Sequence, residues 1–474
     1  MKIHLSAVCG TAMASLAGLL RERGHELSGS DQDVYPPMST QLEGLGLRLL
    51  SPYAAGNVPV DADLVVIGNA LSRGNPEVEE VLDRKQPYTS LPALLGEQFL
   101  RGQTSLVVAG THGKTTTTGL LAFLLHAAGR DPSFLVGGIP ADFGRSYRLG
   151  AGGLFVVEGD EYDCAFFDKR PKFVHYQPDV AVIGNLEFDH ADIFPDLAAV
   201  QTAFVRLLQV LPRRGLLIAG VESPALREIL PRCRSRVETF GLVAEADWRA
   251  CDLRPGARGG TRFRLVHGGR ERGEFELPQP GEHNVRNALA ALAAAHEVGV
   301  EPEQLREALA RFSGLRRRLE LRGQAGGVAV YDDFAHHPTA VRETLRAARA
   351  LVPAGGRLWA LFEPRSYTSR TKIFQDDFGR ALALADRVVV AAAHLPGKVP
   401  EALRVSETEL VAAARAAGAQ AELIPGVPEI VAAVTGAARP GDVVLAISNG
   451  GFGGIHERLL GELARAAGGT VTRL

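Results

Sequence analysis

Cysteine, tryptophan and methionine are scarce in this chain, at four, two and three among 474 residues, and aromatic residues make up 6%. Cys9, Cys164, Cys233 and Cys251 show no Cys-x-x-Cys spacing. That excludes a ribbon-type zinc site and a disulfide framework, and favours a reducing compartment. Net charge is nearly absent too: 52 Lys+Arg against 54 Asp+Glu leave −2. A basic nucleic-acid footprint and an acidic tail are thereby excluded. No apolar run is long enough to span a bilayer. The fairly apolar stretch 3–20 carries one early positive charge before it and His4 within it. Val8 before Cys9 is too large for a lipoprotein cleavage site, and no clear Ala-x-Ala precedes a mature start. The expectation is a cytoplasmic protein without nucleic-acid or membrane partners, and a monomer.

The hydrophobic fraction of 46% is that of a globular protein, and 474 residues at about 150 per domain suggest roughly three domains. We place them at 1–103, 104–313 and 314–474. The first opens with a strand-like run, 3–8, then Gly10, a helical run 13–23, and a second strand ending at Ser30-Asp31. This β-loop-α-β unit lacks the second and third glycines of Gly-x-Gly-x-x-Gly, which disfavours a dinucleotide-dependent dehydrogenase. A ligand-free structural unit is the alternative. A further strand, 65–68, runs into Asn69 and a polar loop starting at Ser72. In open α/β sheets such strand ends carry the ligands.

The second block begins with the buried strand 106–109, then Gly110-Thr-His-Gly-Lys-Thr115 and a helix over 116–128. This is a phosphate loop: backbone N–H groups and the helix N-terminus meet phosphate oxygens, Lys114 adds a positive charge, and the Thr115 hydroxyl can hold Mg²⁺. Val108 stands where the first glycine of the common motif would be, and the early glycine is Gly110. The loop is therefore shorter than in common P-loop GTPases. A second strand ends in Glu158-Gly-Asp-Glu161-Tyr-Asp163, an acidic density that repels itself unless a cation sits within it. A third ends in Asn185-Leu-Glu-Phe-Asp-His190, where His190 is a candidate metal ligand. Asn284 and Asn287, three apart on an Ala-rich helix, share a face.

The third block follows an arginine cluster, 316–318, in a linker over 314–320. Its strands alternate with helices in a Rossmann-like pattern. One strand ends in Tyr331-Asp-Asp-Phe-Ala-His-His-Pro338, another precedes Arg365, and the last runs into a glycine-rich loop containing Asn449 and Gly450. So many glycines imply backbone close to a ligand or another domain.

This ordered set resembles the Mur ligase family, the ATP-dependent amide-forming enzymes of peptidoglycan synthesis, over essentially the whole chain. The resemblance implies an α/β protein of three domains: a Rossmann-like N-terminal domain binding a UDP-muramyl nucleotide, a central P-loop ATPase domain, and a Rossmann-like C-terminal domain binding the incoming amine. It implies ATP as co-substrate and two Mg²⁺ ions. ATP would phosphorylate the lactyl carboxylate of UDP-N-acetylmuramate, and an amine would attack the acyl phosphate. Catalytic roles would fall to Lys114, Glu161, His190, Arg318, Asp333 and His336. ATP would be bound by Gly110, Thr111, His112, Gly113, Lys114, Thr115, Thr116, Asn284, Asn287, Arg318 and Asp333. Thr115 and Glu161 would hold the first metal, and His190 a second. Gly10, Thr11, Ser30, Asp31, Asn69, Ser72 and His112 would face the UDP-muramyl substrate, with His336, Arg365, Asn449 and Gly450 on the acceptor.

Tracts 134–140, 163–170, 185–194, 331–338, 363–366 and 448–456 resemble those of family members whose acceptor is a murein tripeptide, L-alanyl-γ-D-glutamyl-meso-diaminopimelate. Tract 367–371 leans toward the alanine-adding pattern, so free L-alanine stays open as the acceptor. An ATP-hydrolysing nucleotide-sensing switch is the more distant alternative. Several members carry a carbamylated lysine after the Asp-His motif; here no lysine occurs between Lys172 and Lys372, so acids or water must replace it.

Overall fold

The computed structural model describes residues 1–32, 34 and 38–473. Three sheets follow one another along the chain. In the first, β1 (Lys2–Ser6), β2 (Glu26–Ser30), β3 (Arg48–Leu50), β4 (Leu64–Ile67) and β5 (Tyr88–Ser90) are all parallel, in the order β3-β2-β1-β4-β5. Helix α1 (Thr11–Glu22) connects β1 to β2. The strand order reverses between β1 and β4, so the loops after these two strands part and leave a crevice at their C-terminal ends.

The second sheet has ten strands. Its parallel centre is β6 (Thr104–Ala109), flanked on one side by β9 (Leu154–Glu158) and on the other by β12 (Val180–Ile183). Beyond β9 lie β7 (Ser133–Leu135) and β8 (Tyr147–Arg148). Beyond β12 lie β13 (Leu216–Gly220) and β14 (Arg236–Gly241), then the antiparallel run β15 (Trp248–Pro255), β16 (Thr261–His267) and β17 (Arg270–Leu277). A hairpin of β10 (Asp163–Ala165) and β11 (Asp168–Pro171) stands apart from the sheet. The central strands read as continuous apolar runs because helices cover both faces. One covering helix, Glu282–Glu297, buries every residue from Ala288 to Ala295, and its alanines let it lie close against the helix Lys114–Ala127.

The third sheet orders β18 (Glu320–Ala325), β19 (Val328–Asp333), β23 (Val443–Ile447), β20 (Leu358–Phe362), β21 (Arg387–Val390) and β22 (Gln420–Leu423), parallel except for the β18–β19 pair. The α/β class and the Rossmann-like character of the first and third sheets expected from the sequence are the observed ones.

The apolar cores are not distributed evenly. One continuous cluster runs from Ile3, Leu5 and Leu16 of the first sheet through Phe99 and Tyr147 to Phe173, Phe204 and Leu217 of the second. The third sheet's clusters are its own. The first two units are therefore welded by shared hydrophobic burial, and the third is joined mainly through polar contacts and the segment 314–319. In that segment Arg317 and Leu319 hold positive φ values of 61° and 47°, an unfavourable conformation for side chains of this kind.

The weld has a local signature at Gly18, in the middle of α1. The Tyr147 ring lies against its Cα, so a Cβ there would stand only 2.0 Å from Tyr147 Cζ, and the Ser15 and Ser146 hydroxyls bond across the same contact at 2.7 Å. In an exposed helix, Gly→Ala stabilises by about 1 kcal/mol. Here overpacking, which costs about 1–3 kcal/mol, should win. Gly18→Ala is expected to lower the melting temperature, and Gly18→Ala with Tyr147→Ala to regain part of the loss. A higher melting temperature in the single variant would contradict this packing.

Candidate functional site

The phosphate loop is shaped by the strands on either side of it. Gly110 has φ of 128°, and a side chain there would press on the backbone of Gly184 and Asn185 at the end of β12. Asn185 pins the loop: its backbone carbonyl accepts from Thr111 N at 2.9 Å and its Oδ1 from His112 N at 2.9 Å. Gly113, with φ of 80°, opens the helix Lys114–Ala127 and lies so close to Asn287 Oδ1 that no Cβ fits. Gly113 to Thr116 thus stand at a helix N-terminus, where N–H groups have no helical acceptor and anions bind.

The acids of the second motif converge on this loop. The Lys114 ammonium donates to Glu161 Oε2 at 2.9 Å and lies 3.9 Å from Asp160 Oδ1. Burial alone would lower its pKa, but Glu161, Asp160 and Glu158 outweigh that and hold it charged, its pKa above the ordinary lysine range. Thr115 Oγ1 donates to Glu158 Oε1 at 2.9 Å, and Gly137 N to Glu158 Oε2 at 2.7 Å. Burial, and then the neighbouring Asp160 charge, raise the Glu158 pKa. Lys172 donates to Asp160 Oδ2 at 2.9 Å while its ammonium lies 4.0 Å from the centre of the Tyr162 ring. His190 Nε2 is 3.7 Å from Glu161 Oε1. The expected metal set therefore divides: His190 meets Glu161, whereas Thr115 meets Glu158. The sequence offers Glu158 and Asp160 only as members of the 158–163 acidic run and gives no sign of Lys172; the register that sets Glu158 beside Val108 of β6 is what brings it to Thr115.

Two cavities open from this centre. The smaller, about 460 Å³, lies between the second and third sheets; Thr116, Asn284, Asn287 and Asp333 are in its wall. Asn284 Nδ2 donates to Pro280 O at 2.8 Å, and Asn287 Nδ2 reaches Asn284 Oδ1 at 3.4 Å. The buried Asp333 accepts from Leu319 N at 2.7 Å and Ala335 N at 2.8 Å, which ties it to the linker. The larger cavity, about 760 Å³, takes in Gly10, Thr11, Asp31 and Asn69 from the first unit, Thr115, Lys172 and His190 from the second, and His336, Ser366 and Asn449 from the third. His112, Gly113, Lys114 and Arg318 border both. Arg318 crosses from the linker to within 3.4 Å of Thr115 Oγ1, with its guanidinium 5.2 Å from the centre of the Phe334 ring.

His336 is kept neutral by burial, its pKa brought down to about 4. Its Nδ1 lies 3.1 Å from Phe334 O. Asn449 Oδ1 is buried without a hydrogen-bond partner. Arg365 stands just outside the cavity wall. Its side chain covers Gly450, and its Nη1 is 3.7 Å from Glu363 Oε2.

Gly450, beneath Arg365, is likewise not in the wall, and two of the expected UDP-muramyl contacts do not reach the larger cavity. Ser72 is exposed and away from it. Ser30 is fully buried, and its hydroxyl donates to Glu77 Oε2 at 2.5 Å. The cause is a buried carboxylate that a strand-end reading does not reveal. Glu77 also accepts from Ser6 at 2.7 Å and Asn57 at 2.8 Å, with His4 Nε2 at 3.8 Å. Asp31 keeps its place on the cavity and accepts from Cys9 N at 2.8 Å and from the Tyr53 hydroxyl at 3.1 Å.

Burial alone would raise the Glu77 pKa, but the bonds from His4, Ser30, Ser6 and Asn57 bring it down to about 2. A lowered carboxylate pKa stabilises the fold above the unfolded value and loses that contribution as pH falls toward the folded one. Stability should therefore drop between about pH 4.5 and pH 2 by an amount on the order of 3 kcal/mol attributable to Glu77. Glu77→Gln should be less stable at neutral pH and show a shallower acid limb in denaturant titrations. An acid limb of unchanged depth in this variant would contradict the assignment.

Comparison with known proteins agrees with this arrangement segment by segment. Residues 2–102 match the Mur ligase family catalytic domain, 108–295 the Mur ligase middle domain, and 317–450 the Mur ligase glutamate ligase domain. An Escherichia coli UDP-N-acetylmuramate–L-alanyl-γ-D-glutamyl-meso-2,6-diaminoheptandioate ligase is 45% identical over 469 residues, 98% of this chain and 99% of the relative. The crystal structure of a murein peptide ligase from Psychrobacter arcticus superposes with a TM-score of 0.74 at 39% identity, covering 98% of this chain and 99% of the other. That of a Thermotoga maritima UDP-N-acetylmuramate–alanine ligase gives 0.81 at 25% identity, covering 97% and 98%. With all three segments matched in order, and with the phosphate loop and acids of the middle segment and the arginine of the third brought to one centre, the chain belongs to the Mur ligase family.

Proposed function

We propose that this chain is an ATP-dependent ligase that joins L-alanyl-γ-D-glutamyl-meso-2,6-diaminoheptandioate to the lactyl carboxylate of UDP-N-acetylmuramate, acting in peptidoglycan recycling in the cytoplasm. The observation that carries the reading is the meeting of two cavities at Lys114. The smaller suits ATP and the larger suits the muramyl nucleotide, with the acceptor entering from the third unit. We take 1–103, 104–313 and 314–474 as the corresponding domains.

Phosphoryl transfer asks mainly for positioning and neutralised charge. Lys114 supplies a fixed positive charge at the loop, and Arg318 brings a second from the linker. The N–H groups of Gly113 to Thr116 hold phosphate oxygens. Glu158, Asp160, Glu161, Thr115 and His190 are mostly hard oxygen donors with more acid than Lys114 and Lys172 balance, a set that fits Mg²⁺. Thr115 with Glu158 and Glu161 with His190 would hold two such ions, which supply further neutralisation of phosphate charge. Lys172 cannot serve as a carbamylated bridge, because pairing with Asp160 keeps it an ammonium. On the acceptor side, a neutral His336 whose Nδ1–H points to Phe334 O keeps a lone pair on Nε2 for the amine proton. The unpartnered Asn449 Oδ1 is suited to a substrate N–H. Arg365 is suited to a peptide carboxylate, once it turns from Gly450 and Glu363.

The higher TM-score to the alanine ligase, 0.81, favours free L-alanine as a second reading. We weigh the 45% identity more heavily, because superposition reports how domains are disposed and sequence reports what lines the site. Phosphate release with ATP and UDP-N-acetylmuramate should be strongly stimulated by the tripeptide and weakly by L-alanine. Arg365→Ala should raise the tripeptide KM by roughly 5–150-fold, the equivalent of about 1–3 kcal/mol, with little change for ATP or UDP-N-acetylmuramate. Preference for L-alanine would overturn the acceptor assignment, and an unchanged tripeptide KM would remove Arg365 from it.

A further inference from the structure

Among the described residues, two groups of metal-type donors lie apart from the acids around Lys114. The first is Cys164, Asp168 and His175. It is already satisfied: Asp168 Oδ1 accepts from Arg170 N at 3.1 Å and Nε at 2.9 Å, and Oδ2 accepts from Arg170 Nη2 and faces His175 Nε2, both at 2.8 Å. Burial pushes the Cys164 thiol up to about 12, away from the thiolate that binds metal. This group is an ion-paired brace for the β10–β11 hairpin.

The second group is His112 of the phosphate loop, Glu187 of the loop after β12, and His337 at the start of the helix Pro338–Arg349 in the third domain. His112 Nε2 lies 3.1 Å and His337 Nδ1 3.7 Å from the same Glu187 Oε2. The three donor atoms all fall within 4.8 Å of one another. Donors about 2.1 Å from one tetrahedral or octahedral ion stand about 3.0–3.4 Å apart, so small side-chain shifts close the set. His337 Nε2 is 3.2 Å from Phe188 O. A ring N–H donated to a backbone carbonyl is the support that metal-bound histidines commonly have, and it leaves Nδ1 unprotonated, 3.7 Å from Glu187 Oε2. Burial keeps His337 neutral, with its pKa lowered to about 4. The competing contacts are modest: Thr339 N reaches His337 Nδ1 at 3.3 Å, and the Thr339 side chain bonds Glu187.

We propose that His112, Glu187 and His337 form a binding site for one divalent transition-metal ion of the zinc or cobalt class, bridging the central and third domains. Two imidazoles and one carboxylate favour such an ion over Mg²⁺, which prefers oxygen alone. Because His112 and Glu187 belong to the central domain and His337 to the third, occupancy would tie the third domain to the phosphate loop. The proposal stands on these three residues and not on the choice of acceptor.

The test is titration of the metal-free full chain with Co²⁺ in excess Mg²⁺ and without nucleotide, followed by calorimetry and by visible absorption of the bound ion. One equivalent per chain is expected, with a ligand-field band of nitrogen–oxygen coordination and no thiolate charge-transfer band. Glu187→Gln and His337→Gln should each weaken binding at least about tenfold, with far-UV circular dichroism unchanged. Cys164→Ser and His175→Gln should leave it unaltered. If His337→Gln does not fold, Glu187→Gln carries the comparison. No saturable Co²⁺ signal in the parent, equal affinity in a folded Glu187→Gln, or loss of binding in the Cys164 or His175 variant would overturn the site.

Discussion

A buried ammonium held among carboxylates is the interaction around which this molecule is organised. Lys114 sits at the N-terminus of a helix that already carries partial positive charge, and only the acids at the end of β9 and beyond make its burial tolerable. An unpaired buried charge costs several kcal/mol. The phosphate loop, the β9 strand end and Lys172 must therefore be assembled together or not at all. The same requirement fixes where chemistry can happen. Cations and acids are gathered where the two cavities join, and incoming phosphate or a divalent ion meets groups already oriented.

The distribution of apolar burial then decides which parts can move. The first two domains share one core through contacts such as Tyr147 on Gly18, so their relative position is set by packing. The third domain keeps its own core and meets the others through Arg318, Asp333, His337 and the linker, where Arg317 and Leu319 adopt left-handed conformations. Contacts of that kind can be exchanged for ligand contacts at small cost, whereas a shared core cannot. A ligase with a hydrolysable acyl phosphate needs water excluded, and a third domain with its own core, held by polar contacts, suits that need.

Much of this was legible in the sequence because buried parallel strands are written as unbroken apolar runs, and the loops at their C-terminal ends carry the polar motifs. That rule located Gly110 to Thr116, the 158–163 acids, Asp189-His190, Asp333 and the 449–450 glycine loop without any structure. What it could not resolve was pairing. Whether Glu158 or Glu161 meets Thr115 depends on strand register against β6. Ser30 reads as a substrate contact because it ends a strand, yet Glu77, 47 residues further on, claims its hydroxyl. Glu187 and His337 read as ordinary neighbours of stronger motifs, and only the fold brings them, with His112, to one point. Arg365 was placed at the correct end of its strand, but its rotation onto Gly450 is a packing outcome with no sequence signal.

If the Lys114 charge does the neutralising at the junction of the cavities, removing it must slow phosphate release. Single-turnover phosphate release by Lys114→Ala at saturating ATP, UDP-N-acetylmuramate and acceptor tests it most directly, with a thermal melt of the same protein. A fall of roughly a hundredfold or more, the equivalent of about 3 kcal/mol of lost electrostatic stabilisation, is expected in a chain that still unfolds cooperatively. Near-parental release by the folded variant would contradict it.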